Sequence, residues 1–132
     1  MAAVASPVAW NALDVAGLAL FAFGLAFETV ADLQLARFRA DPRSRSVVMD
    51  RGLWRLSRHP NYFGECCLWW GLWLIAAAAG AWWTVVSPLL MTVLLLKVSG
   101  VVLLEADLRE RRPGYADYVR RTSAFVPWKA GR

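Results

Sequence analysis

Basic side chains are missing from the first quarter of this chain: residues 1–36 of 132 hold no Lys or Arg. Without a basic n-region, a cleaved secretory signal is not expected. There is one histidine, so no constellation needing two imidazoles can form within one copy. The two cysteines, Cys66 and Cys67, are adjacent inside an apolar run, with no CxxC and no His/Cys spacing. That excludes the usual zinc and disulfide patterns and leaves both thiols as small buried hydrophobes. The chain has no GxGxxG, no phosphate-binding GxxxxGK[ST] loop and no Gly-x-Ser-x-Gly, which removes Rossmann-type, P-loop and serine-hydrolase readings. It shows no internal repeat, no low-complexity linker and no aromatic-and-basic pattern of a nucleic-acid module.

What is present is apolar: 58% of residues, with eight Trp. The charge of +5 lies in blocks. Seven Arg fall between Arg37 and Arg58, seven more cations between Arg109 and Arg132, and only Lys97 lies between. Basic clusters flanking apolar runs of spanning length predict a membrane protein. Ser6-Pro7 predicts a cap and helix start, with a helix over about 7–40. Its apolar part of about 20 residues, roughly 30 Å, is enough to cross a bilayer. Asp41-Pro42 ends it, and Asp50-Arg51-Gly52 reads as a turn. Leu53 to Arg58 is expected as an interfacial piece, with Trp54 at headgroup depth. Pro60 predicts a second helix over about 60–79, closed by Gly80, with Trp82 and Trp83 at the far interface. A third helix is expected over about 88–110, with Lys97 inside its apolar run to snorkel or pair. Pro113-Gly114 breaks the chain before a short helix over 114–121. Phe125-Val126-Pro127-Trp128 is a final anchor.

These elements predict an all-α integral membrane protein. It has three transmembrane helices plus short interfacial helices, in one domain over 1–132. The charge clusters place loop 41–58 and the C-terminus in the cytoplasm. The polar ends, Glu28 to Arg39, Arg55 to Glu65 and Glu105 to Tyr118, then converge in one pocket open to both cytoplasm and lipid. Glu28, Asp32 and Arg39 share a helix face, as do Asn61 and Glu65. Arg-rich loops and helix-end donors suit a phosphate- or adenine-bearing ligand, and apolar walls suit a lipidic partner.

The run Gly52-Leu53-Trp54-x-x-Ser57-Arg58-His59-Pro60-Asn61-Tyr62-x-Gly64-Glu65 closely resembles the motif of the steroid 5-alpha-reductase superfamily, in its bacterial branch of unknown function. Phe27-Glu28-x-x-x-Asp32-x-Gln34 and Glu105 through Pro127-Trp128 also resemble that branch. The sterol reductases belong to the same superfamily, and the isoprenylcysteine carboxyl methyltransferases carry a related segment. The resemblance implies a membrane oxidoreductase acting on CH–CH groups with NADPH, in lipid metabolism, on the double bond of a steroid-like or isoprenoid enone. It implies cofactor contacts at Asp32, Arg39, Arg58, His59, Asn61, Tyr62, Glu65, Glu28, Glu105 and Tyr118. Tyr62 and His59 are the candidates to supply a proton. Glu28 departs from the Asn of the steroid enzymes. Leu103 and Asp107 fall near the places of a family Arg and His. Family members are about twice as long, so the chain resembles their cofactor-binding C-terminal half. The resemblance implies a bacterial inner-membrane location. Self-association or a partner chain supplying N-terminal helices is expected. The alternatives are an S-adenosylmethionine-dependent membrane methyltransferase of the isoprenylcysteine type, or a truncated, non-catalytic membrane protein.

Overall fold

The computed structural model describes residues 9–99 and 101–129, and the side chains of all of these except 98–103. Within them the chain is helical, with no strand. The first helix, α1, runs Ala12–Ala40. The expected start at Ser6-Pro7 lies outside the described residues. Residues 9–11 are not helical, so the described helix begins later than expected. The reason is a reciprocal cap at Asn11. Its Oδ1 accepts from the amides of Leu13 and Asp14 at 2.8 and 3.1 Å, and Asp14 accepts from the Asn11 amide at 3.0 Å. These bonds satisfy donors that the first turn otherwise leaves open. At the other end Asp41 leaves the helix extended and caps a 3₁₀ turn, Pro42–Ser44.

The second helix, α2, runs Pro60–Ala78. His59 precedes it outside the helical region (φ −137°, ψ 60°), since the proline ring disfavours a helical conformation in the residue before it. Gly80, with φ +91°, ends it. Helices α1 and α2 form an antiparallel hairpin whose seam is glycine. A Cβ on Gly24 would lie 2.5 Å from the carbonyl oxygen of Gly64, and one on Gly17 would lie 2.7 Å from that of Gly71. Each pair is spaced seven residues, two turns, so both members face the partner. Without Cβ atoms the backbones approach until main chain touches main chain, and dispersion replaces side-chain packing. Ala31 continues the seam and is fully buried.

A third apolar stretch follows a 3₁₀ turn at Trp82–Val85. It comprises α3 (Val86–Val93), a widened π-helical segment Leu94–Ser99, and α4 (Val101–Arg111). The continuous helix expected over 88–110 is therefore interrupted. Thr92 ties α3 to α2 by accepting from Trp70 Nε1 at 3.1 Å. Lys97 is on the exposed surface of the widened segment and makes no ion pair among the described residues. Gly114, with φ +84°, makes the turn into α5 (Tyr115–Arg121).

Of these helices one, α1, is long and apolar enough to cross a membrane, and Trp82–Lys97 is a shorter apolar helix. Trp10, Trp82 and Trp83 are exposed at the end of the hairpin away from Asp32 and Asn61. Trp54 does not present its ring on the protein surface. It is buried, and its indole Nε1 donates to the Ala31 carbonyl at 3.0 Å. The close seam leaves that carbonyl within reach and the ring fills the space above it.

Candidate functional site

The motif segment is fixed from both sides. Gly52, with φ +59°, sits where a Cβ would collide with the Gln34 side chain at 2.6 Å, and Gln34 Oε1 accepts from the Leu53 amide at 3.0 Å. This locks the turn at 51–53 against α1. Beyond it, Gly52–Arg55 forms a 3₁₀ turn. The C-terminal tail clasps the next residues: the Arg58 amide donates to the Ser123 carbonyl (2.8 Å) and the Trp128 amide to that of Leu56 (2.9 Å). The Ser57 hydroxyl donates to the Phe125 carbonyl (2.7 Å) and accepts from the His59 amide (3.1 Å). From α5, the Tyr118 hydroxyl reaches the carbonyls of Trp54 (2.5 Å) and Ser57 (3.3 Å).

So held, Arg58 and His59 turn to one carboxylate. Glu105 Oε1 accepts from Arg58 Nη1 at 2.5 Å and lies 3.1 Å from His59 Nε2. The side chains of Arg58 and Glu105 are only 10% and 11% exposed. Burial is the largest influence on His59 and holds its proton affinity below the usual imidazole value, although Glu105 pulls the other way. With the ring neutral and the carboxylate able only to accept, the Nε2 position carries the proton and Nδ1 is the free acceptor. The His59 ring stacks parallel to Tyr62, centroids 5.5 Å apart. Tyr115 packs edge-on against Tyr118 at 5.6 Å, and burial pushes its hydroxyl up to about 12. Burial raises Tyr118 as well. Both phenols are neutral at physiological pH.

A cavity of about 310 Å³ opens beside this cluster. It runs from α1 (Asp32, Leu35, Phe38, Arg39) past Val47 to Met49, to the motif residues Arg58, His59, Asn61 and Tyr62, and on to Leu104, Leu108, Arg112, Tyr115 and Tyr118. Asn61 Nδ2 donates to Asp32 Oδ1 at 3.1 Å, bridging α1 and α2 at the cavity edge. Two buried polar atoms of cavity-lining residues, Asn61 Oδ1 and Arg58 Nε, have no hydrogen-bond partner among the described residues. Buried polar atoms are almost always paired, so these two are exceptions, and both belong to residues that line the cavity.

The expected site residues are brought together in part. Asp32, Arg39, Arg58, His59, Asn61, Tyr62 and Tyr118 all line this cavity. Glu105 stands behind it as the partner of Arg58 and His59. Glu28 and Glu65 are outside the lining; they are close enough to each other for mutual repulsion. Trp54, Ser57, Tyr115 and Arg112 lie in the motif or in the polar segments expected to converge, but are not among the expected site residues. Arg112 shapes the wall by donating to the carbonyls of Ser44 and Val47 at 2.6 and 2.8 Å. Its sequence signal was only membership of a basic cluster.

The fold and site define a class: an α-helical protein with one helix able to cross a membrane, and a polar, arginine-bearing cavity at the end of a glycine-seamed hairpin. The chain belongs to the family described as protein of unknown function (DUF1295), whose match covers residues 1–122. No curated protein and no solved structure matches it.

Proposed function

We propose that the chain is a membrane-embedded, NADPH-dependent reductase of the steroid 5-alpha-reductase type, or the cofactor-binding half of one. Its substrate would be a lipidic enone, steroid-like or isoprenoid, whose carbon–carbon double bond is saturated. The observation that carries this reading is the pair of orphaned atoms, Asn61 Oδ1 and Arg58 Nε, in the wall of one cavity. A carboxamide N–H suits the first and a phosphate or carbonyl oxygen suits the second, and NADPH carries all of these groups. The residue types therefore fit the cofactor.

When bound, NADPH supplies a hydride; the chain supplies position and charge. Asp32 and Asn61 would hold the cofactor's polar head from the two helices, and Arg39 and Arg58 its anionic part. Tyr62, stacked on His59, is the better proton source, because the Nε2 proton of His59 is directed at Glu105. His59 and Glu105 would then orient Tyr62 and Arg58 without transferring a proton themselves.

Three membrane crossings, with the cavity facing the cytoplasm of a bacterial inner membrane, are part of the same proposal. The apolar α1, the exposed tryptophans at one end of the hairpin and the arginines at the other support this orientation. The apolar residues exposed along α1 and α3 support a covering of lipid together with a second copy or a partner chain that supplies further helices.

The test is cofactor binding by the full chain purified in mild detergent, titrating NADPH and S-adenosylmethionine side by side. Saturable NADPH binding, weakened about tenfold or more by Asn61→Ala and by Arg39→Gln, is the expected result. Binding of S-adenosylmethionine alone would move the chain to the methyltransferases. Binding of neither by a folded chain would leave the non-catalytic reading standing.

A further inference from the structure

On the other side of the wall formed by Phe38, Val47 and Met49 lies a second, more open cleft of about 590 Å³. Three guanidinium groups come to it from three separate elements. Arg37 comes from the last turn of α1, Arg43 from the 3₁₀ turn and Arg51 from the turn at Gly52. One carboxylate, Asp41, stands among them. Arg43 pairs with it at 3.0 Å, and Arg51 is close enough to help hold its acidity. Neither Arg37 nor Arg51 makes an ion pair among the described residues.

A helix terminus explains Arg37, since cations are favoured in the last turn. It does not explain Arg51, which belongs to another segment and is brought there by the fold. The cause is the lock at Gly52, where Gln34 fills the space a Cβ would need and accepts from the Leu53 amide. Three cations around one anion leave the cleft with two positive charges uncompensated. Its floor is apolar: Phe38, Val47 and Met49. It also lies at the far end of α1 from Trp10, where the apolar part of that helix has ended.

We propose that this cleft binds a phosphate group, held by Arg37 and Arg51, with the apolar floor taking the adjoining carbon chain of a phospholipid where the phosphate is a headgroup. Guanidinium forks match phosphate oxygens in geometry and charge. The site is separate from the cavity of Asn61 and does not depend on the reductase reading.

The test uses the full chain in a neutral detergent, without nucleotide. Soluble dihexanoylphosphatidic acid and inorganic phosphate are titrated in parallel, on the native protein and on the Arg37→Gln/Arg51→Gln variant. Both arginines are exposed, so the variant is expected to keep the native unfolding temperature. Saturable binding of either probe, weakened about tenfold or more in the variant, supports the proposal. A preference of the lipid over phosphate by about tenfold assigns the source as a headgroup, and equal binding assigns it as a free phosphate. Asp41→Asn removes the competing carboxylate and is expected to tighten binding severalfold. Asn61→Ala, in the other cavity, is expected to leave binding of these two probes at the native level. No binding of either probe below about 1 mM, binding indifferent to the arginine pair, or loss of binding in Asn61→Ala would each overturn the proposal.

Discussion

The Tyr118 hydroxyl donates to the main-chain carbonyl of Trp54 at 2.5 Å, joining residues 64 positions apart. Through this bond α5 holds the motif segment in place, and Trp54 in turn reaches the Ala31 carbonyl of α1. Tyr118→Phe keeps the ring and removes the donor, leaving a buried carbonyl unsatisfied. A loss of about 1–3 kcal/mol is expected, read as a lower unfolding temperature in detergent. Tyr115→Phe, whose hydroxyl has no hydrogen-bond partner among the described residues, should change stability much less. Equal effects of the two would show that the bond to Trp54 is not what matters.

The hairpin seam makes a steric prediction. Gly24→Ala places a Cβ about 2.5 Å from the Gly64 carbonyl oxygen and equally close to the Leu68 amide nitrogen. Both neighbours are main chain and neither can rotate aside. The helices must separate, at a cost of about 1–3 kcal/mol or more from overpacking. Ala22→Leu, on the exposed side of α1, serves as the control. A native-like melting curve for Gly24→Ala would mean that the helices are not in contact at this seam.

Glu105 takes two donors on one oxygen, so its loss should be felt through Arg58. Glu105→Gln leaves a guanidinium nearly buried without its counter-charge. Breaking one partner of such a pair costs about 3–5 kcal/mol. Adding Arg58→Met to Glu105→Gln should restore part of that stability, because the buried charge is then gone. A double variant as unstable as the sum of the two singles would indicate that the pair does not interact.

The pH dependence follows from His59. Its proton affinity is lower folded than unfolded, where the ordinary value is 6.5. Above 6.5 the ring is neutral in both states and stability is unaffected. As pH falls below 6.5 the unfolded chain takes up a proton that the folded chain resists, so stability declines until the depressed folded value is passed. Unfolding temperature should therefore fall between pH 7 and 5, and His59→Gln should flatten that part of the curve. A slope unchanged in His59→Gln would assign the effect to carboxylates instead.

The break points of this chain were legible from sequence because they rest on local chemistry. Asp41-Pro42, Pro60, Gly80 and Pro113-Gly114 act through φ angles and missing donors, and each marks an observed boundary. The all-helical class and the apolar character of α1 follow from composition in the same way. So does the meeting of three polar segments, since helices joined as hairpins must return their ends to the same side. The tertiary structure alone decided the rest. The glycines at 17, 24, 64 and 71 look like ordinary small residues until two helices are laid together. Trp54 shows no partner in the sequence until the fold brings Ala31 to it as an acceptor. Arg58 and His59 could be assigned to a site, but not to a shared carboxylate 47 and 46 residues away. Sequence fixes what a residue can donate, accept or avoid within a few positions. Which partner meets it from a distant segment depends on how closely the helices approach, and here that distance is set by four missing side chains.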